Sequence, residues 1–407
     1  MKRIGILRET KIPVDNRTPI TPAQCKKLLS TYPGLEIYVQ PSCLRIFPNE
    51  EYIKAGAVLS EDMASCDWLF GVKEVSIKSL IPDKHYFFFA HIGKMQPYNQ
   101  NLCRAMIEKN ITLTDYEYLT REGKRLVSFS FWAGVMGVYN SLRLYGLRND
   151  LFNLPAPDKK FTVADILNLG RPIISELEHD RFNDIRILVT GNGRASAGAQ
   201  FILNELGVRY VSVEEFLTMP EEMIDNPIFT VAKTSDLVKR KDGYQYDREH
   251  FKAHPDMYCS DFGKFSGKTT IFIPCHFWAP AQPKYLTMDM LGFTRIDVVG
   301  DVTCDINGSV ETTVRPSTHD NPFYGIDRAK WEETDAMSGS AVGVMAVDTL
   351  PNAIPVEAST NFGEKLMEHV FPALMNVDPD RVIERATLIR KGELTAPFSY
   401  LKPFAGV

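Results

Sequence analysis

Ile185-Arg186-Ile187-Leu188-Val189-Thr190-Gly191-Asn192-Gly193-Arg194-Ala195-Ser196-Ala197-Gly198-Ala199-Gln200 decides the fold. The first six residues form an apolar run short enough for a strand, a Gly-x-Gly turn follows, and Phe201 to Leu206 continues as a helix. Glycine at Gly191 and Gly193 allows a tight turn and lets backbone N–H groups approach a pyrophosphate at the helix N-terminus, where the helix dipole favours anions. Gly198 lets helix and strand pack closely. The spacing is Gly-x-Gly-x-x-x-x-Gly, with Ser196 where the third glycine usually stands. Gly207-Val208 then leads into a second strand, Arg209 to Val213, which ends at Glu214-Glu215. Strand, glycine-rich turn, helix, strand, acid is the order of a dinucleotide-binding unit. Glu214 or Glu215 would accept hydrogen bonds from the adenosine ribose and favour NAD, whereas Arg194 suits a phosphate and keeps NADP open.

Upstream, Arg3 to Arg8 reads as a strand, and Thr21-Pro22 offers an N-cap with proline at the first helical position. Three short runs follow: Trp68 to Val72, Tyr86 to Ala90, and Ile111 to Thr114. The first two are apolar enough to be buried on both faces of a parallel sheet. They end at Lys73-Glu74, at His91 and at Asp115-Tyr116-Glu117. Ligands of open α/β sheets bind outside the carboxyl ends of the strands, so Lys73, Glu74, His91 and Glu117 are expected to converge on one edge. From about Phe129 the pattern turns helical and rich in small residues, Ser130 to Tyr139, which marks the crossing between domains. Downstream, Thr270 to Ile273 and Arg295 to Val299 read as further strands, the second leading to Gly300-Asp301.

The 407 residues exceed the roughly 250 to 300 at which one hydrophobic core stops growing, so two domains are expected. A hydrophobic content of 44% with 24% charged residues is that of a globular protein, and a net charge of −5 gives no support for nucleic acid or an anionic membrane as partner. The N-terminus returns to charge too soon for a signal peptide, and no run of about 18 apolar residues occurs, so a soluble cytoplasmic protein is expected. The seven cysteines are widely spaced without a Cys-x-x-Cys, and the histidines are equally dispersed, so no metal site is expected.

These motifs resemble the saccharopine dehydrogenase (L-lysine-forming) and lysine-ketoglutarate reductase family, a branch of the alanine dehydrogenase superfamily. The likeness rests on Arg17-Thr18-Pro19, Gly71-Val72-Lys73-Glu74, Phe89-Ala90-His91 with Gln96, Asp115-Tyr116-Glu117, Trp132-Ala133-Gly134-Val135 and the glycine turn. The most specific stretch is Asp301 to Glu311, followed by Asn321-Pro322-Phe323; Leu350-Pro351 and Pro355-Val356-Glu357-Ala358 complete the set. Between Ser212 and Thr269 the likeness is weaker.

The resemblance implies an α/β protein of two Rossmann-like domains with parallel sheets, the nucleotide-binding domain inserted into a discontinuous substrate domain. The expected bounds are residues 1–130 for the first part of the substrate domain, 131–325 for the dinucleotide-binding domain and 326–407 for the return. It implies lysine metabolism: lysine and 2-oxoglutarate condense to an imine, which hydride from NAD or NADP reduces to saccharopine. It also implies roles. Lys73 and His91 form the acid-base pair; Glu74 and Glu117 hold the lysine amine; Arg17 and Arg125 grip substrate carboxylates, with Gln96 beside them; and Asp301 lies beside the nicotinamide. Gly191, Gly193, Arg194, Ser196, Gly198 and Glu214 complete the cofactor site. An alanine dehydrogenase and a non-catalytic nucleotide sensor are the alternatives, and homo-oligomers remain open.

Overall fold

The computed structural model describes residues 2–176, 185–224, 226–376 and 378–407. The chain divides into two compact units, residues 1–129 with 355–407 and residues 130–354. The return to the first unit therefore falls at Pro355 and not at residue 326. Phe323–Asp327 and Ala341–Met345 extend the second unit's sheet, and their hydrogen bonds keep this stretch with it.

The first unit contains β1 (Lys2–Ile6), β2 (Leu35–Val39), β3 (Val58–Leu59), β4 (Trp68–Phe70), β5 (His85–Phe88) and β6 (Thr112–Asp115). A small hairpin, β7 (Thr120–Arg121) and β8 (Lys124–Arg125), follows, and the returning chain adds β19 (Thr387–Arg390) and β20 (Glu393–Leu394), numbered after the strands of the second unit. Among the described residues one sheet runs β20-β19-β6-β5-β4-β1-β2-β3. Its strands from β3 to β6 are parallel, while β19 and β20 join antiparallel. Ile4, Ile6, Leu69, Phe70, Phe87 and Phe88 are wholly buried, as expected of a sheet covered on both faces. The helix Pro22–Thr31 starts at Thr21, whose side chain exchanges capping hydrogen bonds with Gln24. Strand order reverses between β1 and β4, which makes the space above their carboxyl ends the binding crevice of this winding.

The second unit contains β9 (Arg186–Thr190), β10 (Arg209–Tyr210), β11 (Ile228–Ala232), β12 (Val238–Arg240), β13 (Tyr258–Ser260), β14 (Ile271–Pro274), β15 (Val298–Gly300), β16 (Phe323–Asp327), β17 (Glu333–Thr334) and β18 (Ala341–Met345). Its sheet runs β10-β11-β9-β14-β15-β18-β16-β17, with β12 and β13 paired apart. The helix Arg194–Glu205 leaves the glycine turn and packs on the helix Ser130–Arg148 at backbone distance. A Cβ on Gly198 would stand 1.8 Å from the Phe131 carbonyl oxygen, and one on Gly134 would stand 1.9 Å from that of Ala195. The small residues of both helices are there because nothing larger fits.

Candidate active site

The chemistry of the first unit gathers at the carboxyl ends of β1, β4, β5 and β6, which are neighbours in the sheet. Past β1, the Glu9 carboxylate accepts the backbone N–H groups of Val72 and Lys73 at 2.7 and 2.9 Å, fixing the turn that carries Lys73. Burial, with the nearby charge of Asp15, pushes Glu9 up to about 7 against the opposing pull of those hydrogen bonds and Arg17. Asp15 is itself buried. Its pKa is held below the usual range because Arg17, bonded to it at 2.9 and 2.5 Å, together with the charge of Lys73, outweighs the desolvation. The Arg17 guanidinium also stacks 4.2 Å from the Phe129 ring.

Glu74, at the end of the same turn, accepts from Lys11 Nζ at 2.7 Å on one oxygen and meets His91 Nδ1 at 2.8 Å with the other. Burial alone would raise its pKa, yet the His91 and Lys11 hydrogen bonds and charges win and hold it at about 2. Glu74 is therefore an anion across the working pH range. His91 follows β5 in a left-handed conformation, φ 52°. That geometry is secured at the preceding peptide: Ala90 N–H donates to Asp115 at 3.2 Å, and Asn99 Nδ2 donates to the Ala90 carbonyl at 3.0 Å. Asp115 is wholly buried, also accepts from Glu117 N at 2.8 Å, and is pushed up to about 7 chiefly by burial. With Nδ1 of His91 on Glu74, Nε2 is the nitrogen left for exchanging a proton with a ligand.

Glu117 sits between Lys94 and Arg125, each 2.8 Å from the same carboxylate oxygen; its other oxygen is buried without a partner. Burial raises its pKa, but the two cations and His91 together bring it below the ordinary value. A cavity of about 290 Å³, lined by Lys11, Glu74, Ser76, Tyr98 and Asn99 among others, borders the Lys11–Glu74 pair. Glu74, His91, Glu117 and Arg125 thus belong to one charged cluster, while the charge of Lys73 acts on Asp15. Arg17, expected to grip a substrate carboxylate, has its forked Nε and Nη2 edge on Asp15. Gln96 is exposed between two short 3-10 turns and makes no side-chain bond with the cluster. Sequence reasoning gave no role to Glu9, Asp15, Asn99 and Asp115, and of these only Asp115 carried a signal, standing at a strand's carboxyl end.

In the second unit, Gly191 has φ 97° and a backbone so close to the end of β14 that a Cβ would lie 2.8 Å from the Cys275 oxygen and the His276 Cα. A Cβ at Gly193 would meet nothing within 4 Å, so the approach to this helix N-terminus is open. The turn therefore fits a pyrophosphate bound through backbone N–H groups. Arg194 is exposed in the helix's first turn. Ser196 is wholly buried, with its hydroxyl accepting from Gln200 at 3.1 Å, and works as a packing position. Asp301 is also fully enclosed: Thr303, Cys304 and Thr313 donate to its two oxygens, so it shapes the loop after β15 instead of offering an open acceptor. Buried His276 joins Thr190 Oγ1 to Ser309 Oγ at 2.7 Å each, and burial lowers its pKa to about 3, which keeps it neutral. Glu214 is exposed on the first turn of the helix Val213–Thr218, whereas Glu215 is taken up capping that helix with Ser212.

Residues 5–136 match the family described as alanine dehydrogenase/PNT, N-terminal domain. Alpha-aminoadipic semialdehyde synthase of Arabidopsis thaliana is 30% identical over 98% of the chain, which spans only 41% of that protein's length. Saccharopine dehydrogenase [NAD(+), L-lysine-forming] of Candida glabrata is 27% identical, covering 95% of this chain and 98% of its own. Among solved structures an L-alanine dehydrogenase superposes with a TM-score of 0.65 at 15% identity, covering 99% of this chain and 98% of that one, a likeness of fold. No helix among the described residues is long and apolar enough to cross a membrane.

Proposed function

We propose that the chain is an oxidoreductase interconverting saccharopine with lysine plus 2-oxoglutarate, a reading supported by its similarity to alpha-aminoadipic semialdehyde synthase and to lysine-forming saccharopine dehydrogenase. A nicotinamide dinucleotide would be held through the backbone of the Gly191–Gly193 turn and, when bound, would supply the hydride chemistry. The remaining work is proton transfer and charge placement. When the ε-amine of lysine adds to the keto carbon of 2-oxoglutarate, the nitrogen must lose a proton and the carbinolamine oxygen must gain one before it leaves as water. His91 Nε2 and the Lys73 amine carry those protons, at two neighbouring strand ends.

Glu74 remains ionised beside His91 and orients the ring through Nδ1. Glu9 and Asp115 hold the two backbone turns from which Lys73 and His91 project. Glu117, flanked by Lys94 and Arg125, presents a buried, unpartnered oxygen to a substrate amine, while the two cations attract substrate carboxylates. The observation that carries this reading is the 2.8 Å His91–Glu74 pair, which joins the ends of β5 and β4 beside the point where the strand order of the first unit reverses.

The test follows NAD(P)H oxidation with lysine plus 2-oxoglutarate beside the same assay with ammonia plus pyruvate. Turnover is expected with the first pair. Faster turnover of the second would replace this reading with an alanine dehydrogenase.

A further inference from the structure

His91 and Lys94 hang from one short 3-10 turn, Ile92–Lys94, and the residues that bound it, His91 and Met95, both stand in the left-handed region at φ 52°. Neither is a glycine, so each end carries backbone strain that lasts only where the surrounding contacts over-determine the turn. Asp115 and Asn99 hold the Ala90 peptide at its start, and the Met95 N–H closes it on the Ile92 carbonyl at 2.9 Å. The middle is held from far away in the chain. Tyr400 Oη donates to the Gly93 carbonyl at 2.9 Å across 307 residues. With its proton spent there, Tyr400 accepts from the Tyr118 hydroxyl, to which it is also hydrogen-bonded. Tyr118 stands so close over the turn that a Cβ on Gly93 would lie 1.9 Å from its hydroxyl oxygen. Glycine is the residue with the widest backbone freedom, so a bond to its carbonyl removes motion where this turn has most of it.

The two tyrosines are themselves fastened. Tyr118 packs edge-on against Phe398, with ring centroids 4.8 Å apart, and Phe398 is buried in the same stretch, Ala396–Leu401, that carries Tyr400. Before that stretch, Thr395 donates from N and Oγ1 to the Leu388 and Thr387 carbonyls at 3.0 and 2.7 Å. After it, Gln100 Nε2 and Arg104 Nε donate to the Phe404 and Ala405 carbonyls at 2.8 and 3.0 Å, both from the helix Gln100–Glu108 that follows the His91 turn. The returning chain therefore delivers the Tyr400 hydroxyl to Gly93 from a segment pinned on both sides.

We propose that Tyr400, with Tyr118 behind it, is a positioning residue of the active site: by fixing the Gly93 carbonyl it sets the turn from which the His91 ring meets substrate and Lys94 meets Glu117. This rests on the reading of His91 as a proton carrier.

Tyr400→Phe removes the hydroxyl and keeps the ring, so the full chain should fold with a melting temperature within about 3 °C of the unaltered one. Exchange of the backbone amides in the peptide spanning residues 89–96, followed by mass spectrometry, should quicken about threefold or more. With lysine, 2-oxoglutarate and NAD(P)H, kcat should fall about three- to tenfold, the worth of one neutral hydrogen bond, while KM for the nucleotide stays within about twofold. In a His91→Ala background the same substitution should lower kcat no further, because the residue it positions is gone. Unchanged exchange would overturn the clamp, and faster exchange with an unchanged kcat would overturn its positioning role. An equal loss of kcat in the His91→Ala background would show that Tyr400 acts by another route and overturn the assignment. Absence of turnover by the unaltered chain would remove the proposed substrate, and the exchange comparison alone would then decide whether the clamp stands.

Discussion

Replacing Gly198 with alanine puts a methyl group where the structure has no room. The new Cβ would lie 1.8 Å from the Phe131 carbonyl oxygen and 2.7 Å from its carbon, and ordinary contact begins at 3.4 Å. The obstruction is backbone, so no rotamer change relieves it. The two helices must separate by about 1.6 Å at this point, the difference between those distances. Overpacking of this kind costs about 3 kcal/mol, at the upper end of the usual range because a rigid element must move. For a unit comprising residues 130–354, that is a fall in melting temperature of roughly 6 to 12 °C. Gly134 faces the same contact from the other helix, 1.9 Å from the Ala195 oxygen. Once the helices have parted for one methyl, the second needs little more. The Gly134→Ala, Gly198→Ala pair should therefore cost clearly less than the two single changes together. Scanning calorimetry of the two single variants and the double variant reads this directly. A Gly198→Ala shift below about 2 °C, or full additivity in the pair, would refute the packing argument.

Lys73→Met and His91→Ala should lower turnover of lysine plus 2-oxoglutarate by about 10² to 10⁴ while NADPH still binds, since the glycine turn is untouched; rates near those of the unaltered chain would take both residues out of the mechanism. Glu74→Gln keeps the shape but removes the anion held at about 2, leaving His91 and Lys11 without their charged partner. A charged hydrogen bond of about 1.5 to 3 kcal/mol predicts a loss of roughly ten- to a hundredfold in kcat, and an unchanged kcat would argue that the pair is only structural. Glu9 and Asp115 are pushed up to about 7 from 4.5 and 3.8, so the folded chain keeps protons that the unfolded chain has already released. Their contribution to stability is full below pH 4 and is lost as pH rises to about 7. Asp115→Asn removes one such group, so its melting temperature relative to the unaltered chain should rise between pH 5 and pH 8; a constant offset across that range would contradict the linkage.

Much of the first unit was legible because buried parallel strands announce themselves twice, by an apolar run and by the polar residue that ends it. Lys73, Glu74, His91 and Glu117 were read from that alternation, and they do stand on adjacent strand ends. The Arg17–Asp15 pair was not legible, because only the fold shows that the two are buried together and that the guanidinium stacks on Phe129. Glu9 and Asn99 were illegible because their work is done on the backbone of turns distant in sequence, at Val72, Lys73 and Ala90. Asp301 was expected beside the nicotinamide by resemblance; the hydrogen bonds that its own loop gives to both its oxygens were not legible.

The acid after the glycine turn shows where motif spacing stops being physics. The rule that a carboxylate some twenty residues downstream meets the ribose holds only when the second strand lies next to the first. Spacing along the chain cannot say which of two later strands takes that place. Here β10 contributes only Arg209 and Tyr210 to the ladder, both exposed, while β11 carries Ile228, Phe229 and Ala232 into the core. A strand buried on both faces gains more from a central position than a short exposed one, so β11 takes the inner place and β10 the edge. The residues that end the more apolar strand, and so stand level with the glycine turn, are here Lys233, Thr234 and Ser235.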